Sequence, residues 1–372
     1  MQREYKMRTK YFVLMILVAV VVAAGGFSGA AAETTWVCPE GFEGQTLKVF
    51  SWSQFVAETT IPDFEQACGV TVEYSVFGTN DQLRTIMELG DTPYDIIVAS
   101  SVELPLMIEQ GLIQPLDHAN IPNLENIELF LETMPVDSDY QYSAPYQWGT
   151  IGIAYDSTVV DTPITTWDEF FAYEGRVAWI DDSRLFLKLA LRKLGLPFSS
   201  VDEAEIQAAA DYLLEVPRNE VFAITDSIQT ELLLNGEVDA IVVISRQAVR
   251  IMQDCACDDF VYVLPSDGFI PYSDSMAIPA NAENPALAHA YIDYILDPQV
   301  NADLSSALGS ASPLRASWEL VDEEIMNNGI SYMSAEMVQA FINDTLIVDQ
   351  IGQGTPLYVD AWTRVKSELA GR

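Results

Sequence analysis

The chain has 372 residues and a strongly acidic composition, with 18 Lys and Arg residues against 55 Asp and Glu residues and a formal net charge of −37. This charge argues against a nucleic-acid partner, because binding a polyanion requires a basic surface. The hydrophobic content of 49% argues against a disordered protein. The acidity has two interpretations: it attracts a cationic ligand, or it serves the solubility of the surface.

The first 32 residues have the layout of a secretory signal peptide. Basic residues precede an uncharged stretch at 11–32, whose small-residue end includes an Ala triplet at 30–32 that fits a cleavage site. We therefore expect residues 1–32 to direct export and the mature chain to begin near Glu33. The uncharged stretch is also long enough to span a bilayer, so an uncleaved anchor is the alternative. The predicted location is periplasmic or extracytoplasmic.

The next part of the chain alternates between strand and helix patterns. Predicted strands lie at 47–52, 70–74 and 95–99, and predicted helices at 61–68, 80–89 and 103–110. This alternation is typical of a mainly parallel sheet with helices on both faces. Ligands of open sheets bind at the carboxyl ends of the strands, so we expect segments 51–55 and 100–103 to contribute to a site.

A second αβ pattern follows the sequence PYQWG at 145–149. Its predicted strands are at 152–155, 176–180, 240–244 and 260–264. Its predicted helices start at Trp167, pass through Lys193, and lie at 204–214 and near 285–296, 298–308 and 359–369. A segment at 272–278 is predicted to cross between the two parts. Polar residues again follow a strand at 245–247.

Four cysteines in an exported chain predict disulfides, because these persist outside the cytoplasm. Of the three possible pairings, we favour Cys38 with Cys68 and Cys255 with Cys257, although the second pair closes a very small loop. A zinc site is the alternative reading of the cysteines. It is disfavoured because the chain has only two histidines, both distant from the close pair. We expect no metal and no cofactor.

Several short motifs occur in an order and spacing typical of one family. They are SWSQF at 51–55, YDIIVASS at 94–101, GLIQPLD at 111–117, PYQWG at 145–149, DDSR at 181–184, ALRKLG at 190–195 and DSMAIPANA at 274–282. In these motifs the chain resembles the periplasmic spermidine/putrescine-binding proteins, which are extracellular solute-binding proteins of ABC transporters. The resemblance runs from Leu47 to Arg372.

The resemblance implies a two-lobed periplasmic-binding-protein fold of the α/β class, in which each lobe is a mainly parallel sheet flanked by helices. We expect lobe 1 to comprise residues 33–148 and 275–318, and lobe 2 to comprise residues 149–274 and 319–372. The ligand would lie in the cleft between the lobes, which closes by a hinge motion. The implied partners are a small amine ligand and the permease subunits of an ABC transporter, and the implied state is a monomer.

A polyamine site needs a carboxylate or another acceptor for each ammonium group and an aromatic or apolar wall for each methylene stretch. By resemblance, Trp52 is the aromatic residue after the first strand, Asp182 and Asp274 are ammonium-binding carboxylates, and Tyr272 takes the place of a tryptophan wall. The remaining implied ligand contacts are Ser53, Gln54, Phe55, Ser100, Ser101 and Gln350.

The chain also departs from the family pattern. Two carboxylates are replaced, by Gln54 and Leu185, and Arg246 is added at the pocket edge. Aromatic positions of the family are occupied here by Val102, Ile244 and Ser310. Fewer groups therefore remain to pair with a dication or a trication.

Two interpretations of these departures are open. Asp226 could supply a replacement acid for a short polyamine such as putrescine, or Arg246 could receive the carboxylate of a zwitterion such as an ω-amino acid. Each residue also has a structural alternative: Arg246 could form an interlobe salt bridge or a surface charge, and Asp182 precedes a helix that it could cap.

An enzyme is not predicted, because the chain contains no G-x-S-x-G, Walker or H-E-x-x-H motif. A chemosensory ligand receptor would use the same fold and is a further alternative. The predicted function is that of the substrate-binding component of an ABC transporter, which captures a putrescine- or spermidine-like ligand for import.

Overall fold

The computed structural model describes residues 36–90, 92–101, 103–127, 137, 139–198, 200–225, 228–255, 259–268, 270–332 and 355–370. The strands are β1 Thr46–Trp52, β2 Thr71–Phe77, β3 Ile96–Ser100, β4 Ser143–Asp156, β5 Arg176–Trp179, β6 Glu220–Ile224, β7 Ala240–Ile244, β8 Phe260–Val263 and β9 Ile270–Ala277. The helices are α1 Thr60–Cys68, α2 Asn80–Glu88, α3 Leu104–Glu109, α4 Trp167–Ala172, α5 Ser183–Lys193, α6 Glu203–Glu215, α7 Gln229–Leu234, α8 Ser245–Cys255, α9 Pro285–Ile295, α10 Pro298–Leu308, α11 Glu323–Met326 and α12 Thr355–Leu369.

The strands form one continuous sheet in the order β2-β1-β3-β9-β4-β7-β5-β6, with β8 paired to β4. At one end, β1 pairs in parallel with β2 and β3, and at the other end β5 pairs in parallel with β6 and β7. The long strands β4 and β9 are antiparallel to each other and join the two parallel groups. We call β1–β3 the lobe 1 strands and β5–β7 the lobe 2 strands.

The strands β3 and β7 are buried on both faces, which explains their continuous apolar sequences. In β7, Ala240 and Val242 pack with the core formed by α4–α6 and α12, while Ile241 and Val243 pack on the opposite face with α7 and α8. Successive side chains of a strand point to opposite faces, so a run of five apolar residues serves both layers. The predicted α/β class with helices on both faces is confirmed.

Local signals set the ends of several helices. The Asp297 carboxylate accepts hydrogen bonds from the backbone N–H groups of Gln299 and Val300, and Pro298 occupies the first turn of α10. Gly309 ends that helix with a φ of 66°, in the left-handed region that glycine adopts without strain. The helix therefore has the bounds that the sequence predicts.

A disulfide joins Cys38 to Cys68 and links the segment before β1 to the last residue of α1. The predicted pairing of these two cysteines is confirmed. Cys257 and the side chain of Cys255 lie outside the described residues, so their pairing stays a prediction. Among the described helices, none is both long and apolar enough to cross a bilayer.

Candidate functional site

The candidate site lies where the carboxyl ends of β1 and β3 meet the crossing strand β9. In the strand register, Ser100 at the end of β3 is opposite Asp274 of β9, and Gln147 of β4 is opposite Asp274 on its other side. Trp52 is the last residue of β1, the neighbour of β3 in the sheet. The sheet thus brings together residues that are far apart in the chain.

Trp52 and Asp274 form a direct hydrogen bond. The indole Nε1–H of Trp52 donates to Asp274 Oδ1 at 2.9 Å. Asp274 is only 6% exposed, and this burial raises the pKa of its carboxyl group to about 7, although the nearby Arg246 charge and the Trp52 hydrogen bond oppose the rise. The ionised form of a buried carboxylate is stabilised when a cationic group of a ligand pairs with it.

Arg246 approaches the same place from the first turn of α8. Its guanidinium carbon lies 4.8 Å from the centre of the Phe55 ring, a cation–π contact. Its Nε–H is buried and has no hydrogen-bond partner in the part of the chain that the structure describes. Among the described residues no carboxylate forms an ion pair with Arg246. Among the described residues Arg246 thus forms no interlobe salt bridge, and the residue is half-buried, so it is not a fully exposed surface charge.

The turn after β1 carries Phe55 and is fixed from two sides. The Tyr146 hydroxyl donates to the Phe55 carbonyl oxygen at 2.6 Å, and the Phe55 side chain is 1% exposed. Gln54 has a φ of 52°, which is unusual for a residue other than glycine. Its side-chain oxygen accepts a hydrogen bond from Arg250 of α8. The turn thus connects a lobe 1 strand to a helix that follows a lobe 2 strand.

Tyr272 of β9 lies beside Gly149 of β4, its partner in the strand register, and its role as a wall of the ligand site stays a prediction. A Cβ atom at Gly149 would lie 2.7 Å from Cε1 of the Tyr272 ring, so a larger residue there would displace the ring. Burial raises the pKa of the Tyr272 hydroxyl to about 12, and the Arg246 charge opposes that rise. The phenol is therefore neutral at physiological pH.

Asp182 is the N-cap of α5. Its Oδ1 atom accepts hydrogen bonds from the backbone N–H groups of Arg184 and Leu185, both at 2.9 Å. Burial raises the pKa of the Asp182 carboxyl group, and these backbone hydrogen bonds oppose the rise. The capping role considered from the sequence is thus present. A second role in ligand binding stays a prediction.

An ion-pair cluster, which the sequence motifs do not predict, links the two sides of the site. The Glu103 carboxylate, 1% exposed, receives Arg84 of α2 at 2.9 Å and Arg184 of α5 at 3.0 Å. Glu103 immediately precedes α3 on the lobe 1 side, whereas α5 follows a lobe 2 strand. No local pattern around Glu103 signals this contact, because its two partners come from distant helices.

The other predicted contacts differ in their surroundings. Ser101 is buried and hydrogen-bonded to Ser273 and Ser275 of β9, so it joins the strands, while Ser53 is exposed at the turn after β1. Of the substituted positions, Leu185 is buried in an apolar core and Ser310 donates to Gln147 Oε1 at 2.9 Å. The predicted contacts that lie outside the described residues are Asp226 and Gln350.

Comparison with known proteins identifies the family. Residues 59–329 match the sequence profile of the bacterial extracellular solute-binding proteins. The chain belongs to this family. It is 28% identical to the spermidine/putrescine-binding periplasmic protein of Escherichia coli, over 94% of this chain and 97% of the relative. It is also 28% identical to the putrescine/agmatine-binding protein of Pseudomonas aeruginosa, over 91% and 95% of the two chains.

Solved structures of solute-binding proteins share the fold. The spermidine/putrescine ABC transporter substrate-binding protein PotD from Streptococcus pneumoniae superimposes with a TM-score of 0.74 at 26% sequence identity, and the match covers 88% of this chain and all of that one. The two-lobed periplasmic-binding-protein fold implied by the motifs is therefore confirmed. In this solute-binding protein, Trp52 donates to Asp274 where β1 reaches β9, and Arg246 of α8 lies over Phe55 in the turn after β1.

Proposed function

We propose that this chain is the substrate-binding component of an ABC importer and captures a small amine-bearing ligand of the putrescine and spermidine type. The observation that carries the proposal is the buried Asp274 carboxylate, held by the Trp52 indole at the carboxyl ends of the strands. An ammonium group fits there, because it can pair with a carboxylate and lie against aromatic rings. The names of the Escherichia coli and Pseudomonas aeruginosa relatives, which record polyamine binding, support the same ligand class.

In this proposal the protein performs no reaction. Residues 1–32 direct export, the mature chain acts as a monomer, and the closed form delivers an unchanged ligand to the permease subunits of the transporter. Lobe 1 comprises residues 33–148 and 275–318, and lobe 2 comprises residues 149–274 and 319–372. The pairing of β4 with β9 between the two groups of parallel strands supports a hinge at these crossings.

A ligand-binding screen tests the proposal. Aliphatic amines, namely putrescine, spermidine and 4-aminobutyrate, are expected to raise the thermal unfolding temperature, because a ligand that binds only the folded state stabilises it. Glucose and butyrate, which lack an ammonium group, are expected to have no effect. Mass spectrometry should recover the bound amine unchanged. Stabilisation by glucose alone, or conversion of the amine, would contradict the proposal.

The variant Asp274→Asn isolates the carboxylate. Loss of a charge-assisted hydrogen bond of about 1.5–3 kcal/mol should weaken amine binding roughly ten- to hundredfold. Asp293→Asn is a matched control, because Asp293 is also buried and accepts a hydrogen bond from a tryptophan indole, Trp36 Nε1 at 2.8 Å, but has no contact with Trp52 or Asp274 among the described residues. Equal amine affinity in the wild type and the Asp274 variant would remove Asp274 from the site.

A further inference from the structure

Two opposite charges near the crossing strands lack an ion-pair partner among the described residues. Asp274 accepts one hydrogen bond, from Trp52, and is 6% exposed. The charge of Arg246 opposes the raised pKa of Asp274, but no ion pair between these two described residues is formed. The Arg246 guanidinium rests on Phe55, and its buried Nε–H has no acceptor among the residues that the structure describes. A buried donor without an acceptor is costly, because it has lost its hydrogen bonds to water.

The neighbouring charged groups have partners of their own. Glu103 is occupied by Arg84 and Arg184, and Oδ1 of Asp182 accepts the backbone hydrogen bonds that cap α5. Arg250, one turn after Arg246 on α8, donates to Gln54. Within the part of the chain that the structure describes, Asp274 and Arg246 form no ion pair, so they are an anion and a cation available to a ligand.

This arrangement disfavours a second ammonium group. The guanidinium of Arg246 already covers the Phe55 ring, an aromatic surface on which a ligand cation could otherwise rest. A second ligand cation beside Arg246 would face a like charge in a poorly solvated place. A carboxylate in that position would instead accept from the guanidinium and approach the N-terminal end of α8, where backbone N–H groups favour negative charge.

The geometry points to a ligand that carries an ammonium group at the Trp52–Asp274 end and a carboxylate at the Arg246 end, as in a short ω-amino acid. This inference rests on the proposed function, since it requires an amine-binding cleft. It deepens that function by assigning to Arg246 the choice between a zwitterion and a diamine. Arginine is suited to this role because its planar guanidinium binds carboxylates through two parallel hydrogen bonds.

Isothermal titration with three probes of equal carbon-chain length tests the inference: 4-aminobutyrate, putrescine and n-butylamine. The wild-type protein should bind 4-aminobutyrate at least tenfold more tightly than either of the other two. In Arg246→Gln, 4-aminobutyrate should lose at least tenfold in affinity, while putrescine keeps or gains affinity. Thermal unfolding of the variant establishes that it is folded.

Arg315→Gln is the matched control, because Arg315 also rests on an aromatic ring, at 4.3 Å from the centre of Trp318, and is exposed outside the Trp52–Asp274 region. It should leave the affinity ratio of the three probes unchanged. Tighter binding of putrescine than of 4-aminobutyrate by the wild type, or an unchanged ratio in Arg246→Gln, would overturn the inference and leave the proposed amine binding intact. If none of the three probes binds and spermidine does not bind either, the proposed function fails and this inference fails with it.

Discussion

The carboxyl group of Asp274 lies at the proposed ligand site, and its burial makes the ionised form costly. Its surroundings offer one donor, the Trp52 indole, and a guanidinium that forms no ion pair with it. Burial without a close cation disfavours the ionised form, which is why the pKa rises to about 7. A residue that destabilises the empty protein in its ionised form is well placed to gain from a bound ammonium group.

The raised pKa of Asp274 makes stability depend on pH. The folded chain binds more protons at this site than the unfolded chain between about pH 4 and pH 7, so stability should fall as the pH rises through that range. The loss from this group is on the order of 4 kcal/mol above pH 7. From pH 5 to pH 8, the free energy of unfolding measured with urea should decline less in Asp274→Asn than in the wild type. The other titrating groups are the same in both proteins, so the difference reports on Asp274. An identical decline in the two proteins would contradict the assignment.

Ligand affinity should depend on pH in the opposite direction. An ammonium group binds the ionised form of Asp274, so amine affinity should rise from pH 5.5 towards pH 7 and level off above it, by up to about tenfold per pH unit below the pKa. Titration calorimetry at pH 5.5, 6.5 and 8 measures this. Binding at pH 6.5 should also release protons, which is detected by repeating the titration in buffers of different ionisation enthalpy. A flat profile in the wild type would exclude coupling to Asp274.

Helix α5 shows how one side chain can serve both an element and a site. Asp182 caps the helix through the N–H groups of Arg184 and Leu185, which positions Arg184 in the first turn, where it reaches Glu103. Behind the cap, Asp181 accepts hydrogen bonds from Trp362 and Lys366 of α12. The C-terminal helix thus holds the turn from which Asp182 is presented.

Substitutions at the cap separate the two roles of Asp182. Asp182→Ala should cost about 1 kcal/mol of stability, whereas Asp182→Asn should cost little, because asparagine is an equally good N-cap. If the carboxylate also pairs with an ammonium group, both variants should weaken amine binding. Asp202, which caps α6 through Ala204 and Glu205, is the control: Asp202→Ala should lose similar stability with unchanged affinity. Full affinity in Asp182→Asn would leave Asp182 with the capping role alone.

Across the whole molecule, residues that follow the lobe 1 strands contact helices that follow the lobe 2 strands, in addition to the link made by the crossing strands. Glu103 pairs with Arg184, Gln54 with Arg250, and the Phe55 ring with Arg246. The first of these is the most buried, since the Glu103 side chain is 1% exposed and that of Arg184 is 12% exposed. Breaking it leaves Arg84 as the partner of Glu103 on the same lobe.

Loss of the Glu103–Arg184 pair should therefore favour an open arrangement of the lobes. We expect Arg184→Gln to weaken every amine ligand by a similar factor, about three- to thirtyfold, and to increase the radius of gyration of the ligand-bound protein measured by small-angle X-ray scattering. Arg364→Gln is the control, because Arg364 forms exposed pairs with Asp211 and Glu368, and such pairs contribute little. Unchanged affinity and unchanged scattering in the Arg184 variant would show that the pair does not hold the lobes together.

Much of the secondary structure could be predicted because its signals are local. The strand Ala240–Ile244 is a continuous apolar run, and the helix Pro298–Leu308 lies between an Asp cap and a Gly end, so both have the predicted bounds. The strand Glu220–Ile224 was not predicted. It lies at the edge of the sheet with much of its length exposed, so it lacks the apolar run that marks a buried strand.

The amino-acid sequence by itself determined the αβ alternation and the family of the chain, and it favoured the Cys38–Cys68 disulfide among three possible pairings. Only the tertiary structure decided which side chains meet at the candidate site. Trp52 and Asp274 are 222 positions apart and bond because β1, β3 and β9 align in one register. Likewise, Arg246 stacks on Phe55 and Arg184 reaches Glu103 because elements of opposite lobes face each other. Contacts of this kind depend on the assembled sheet and leave no pattern in the residues around either partner.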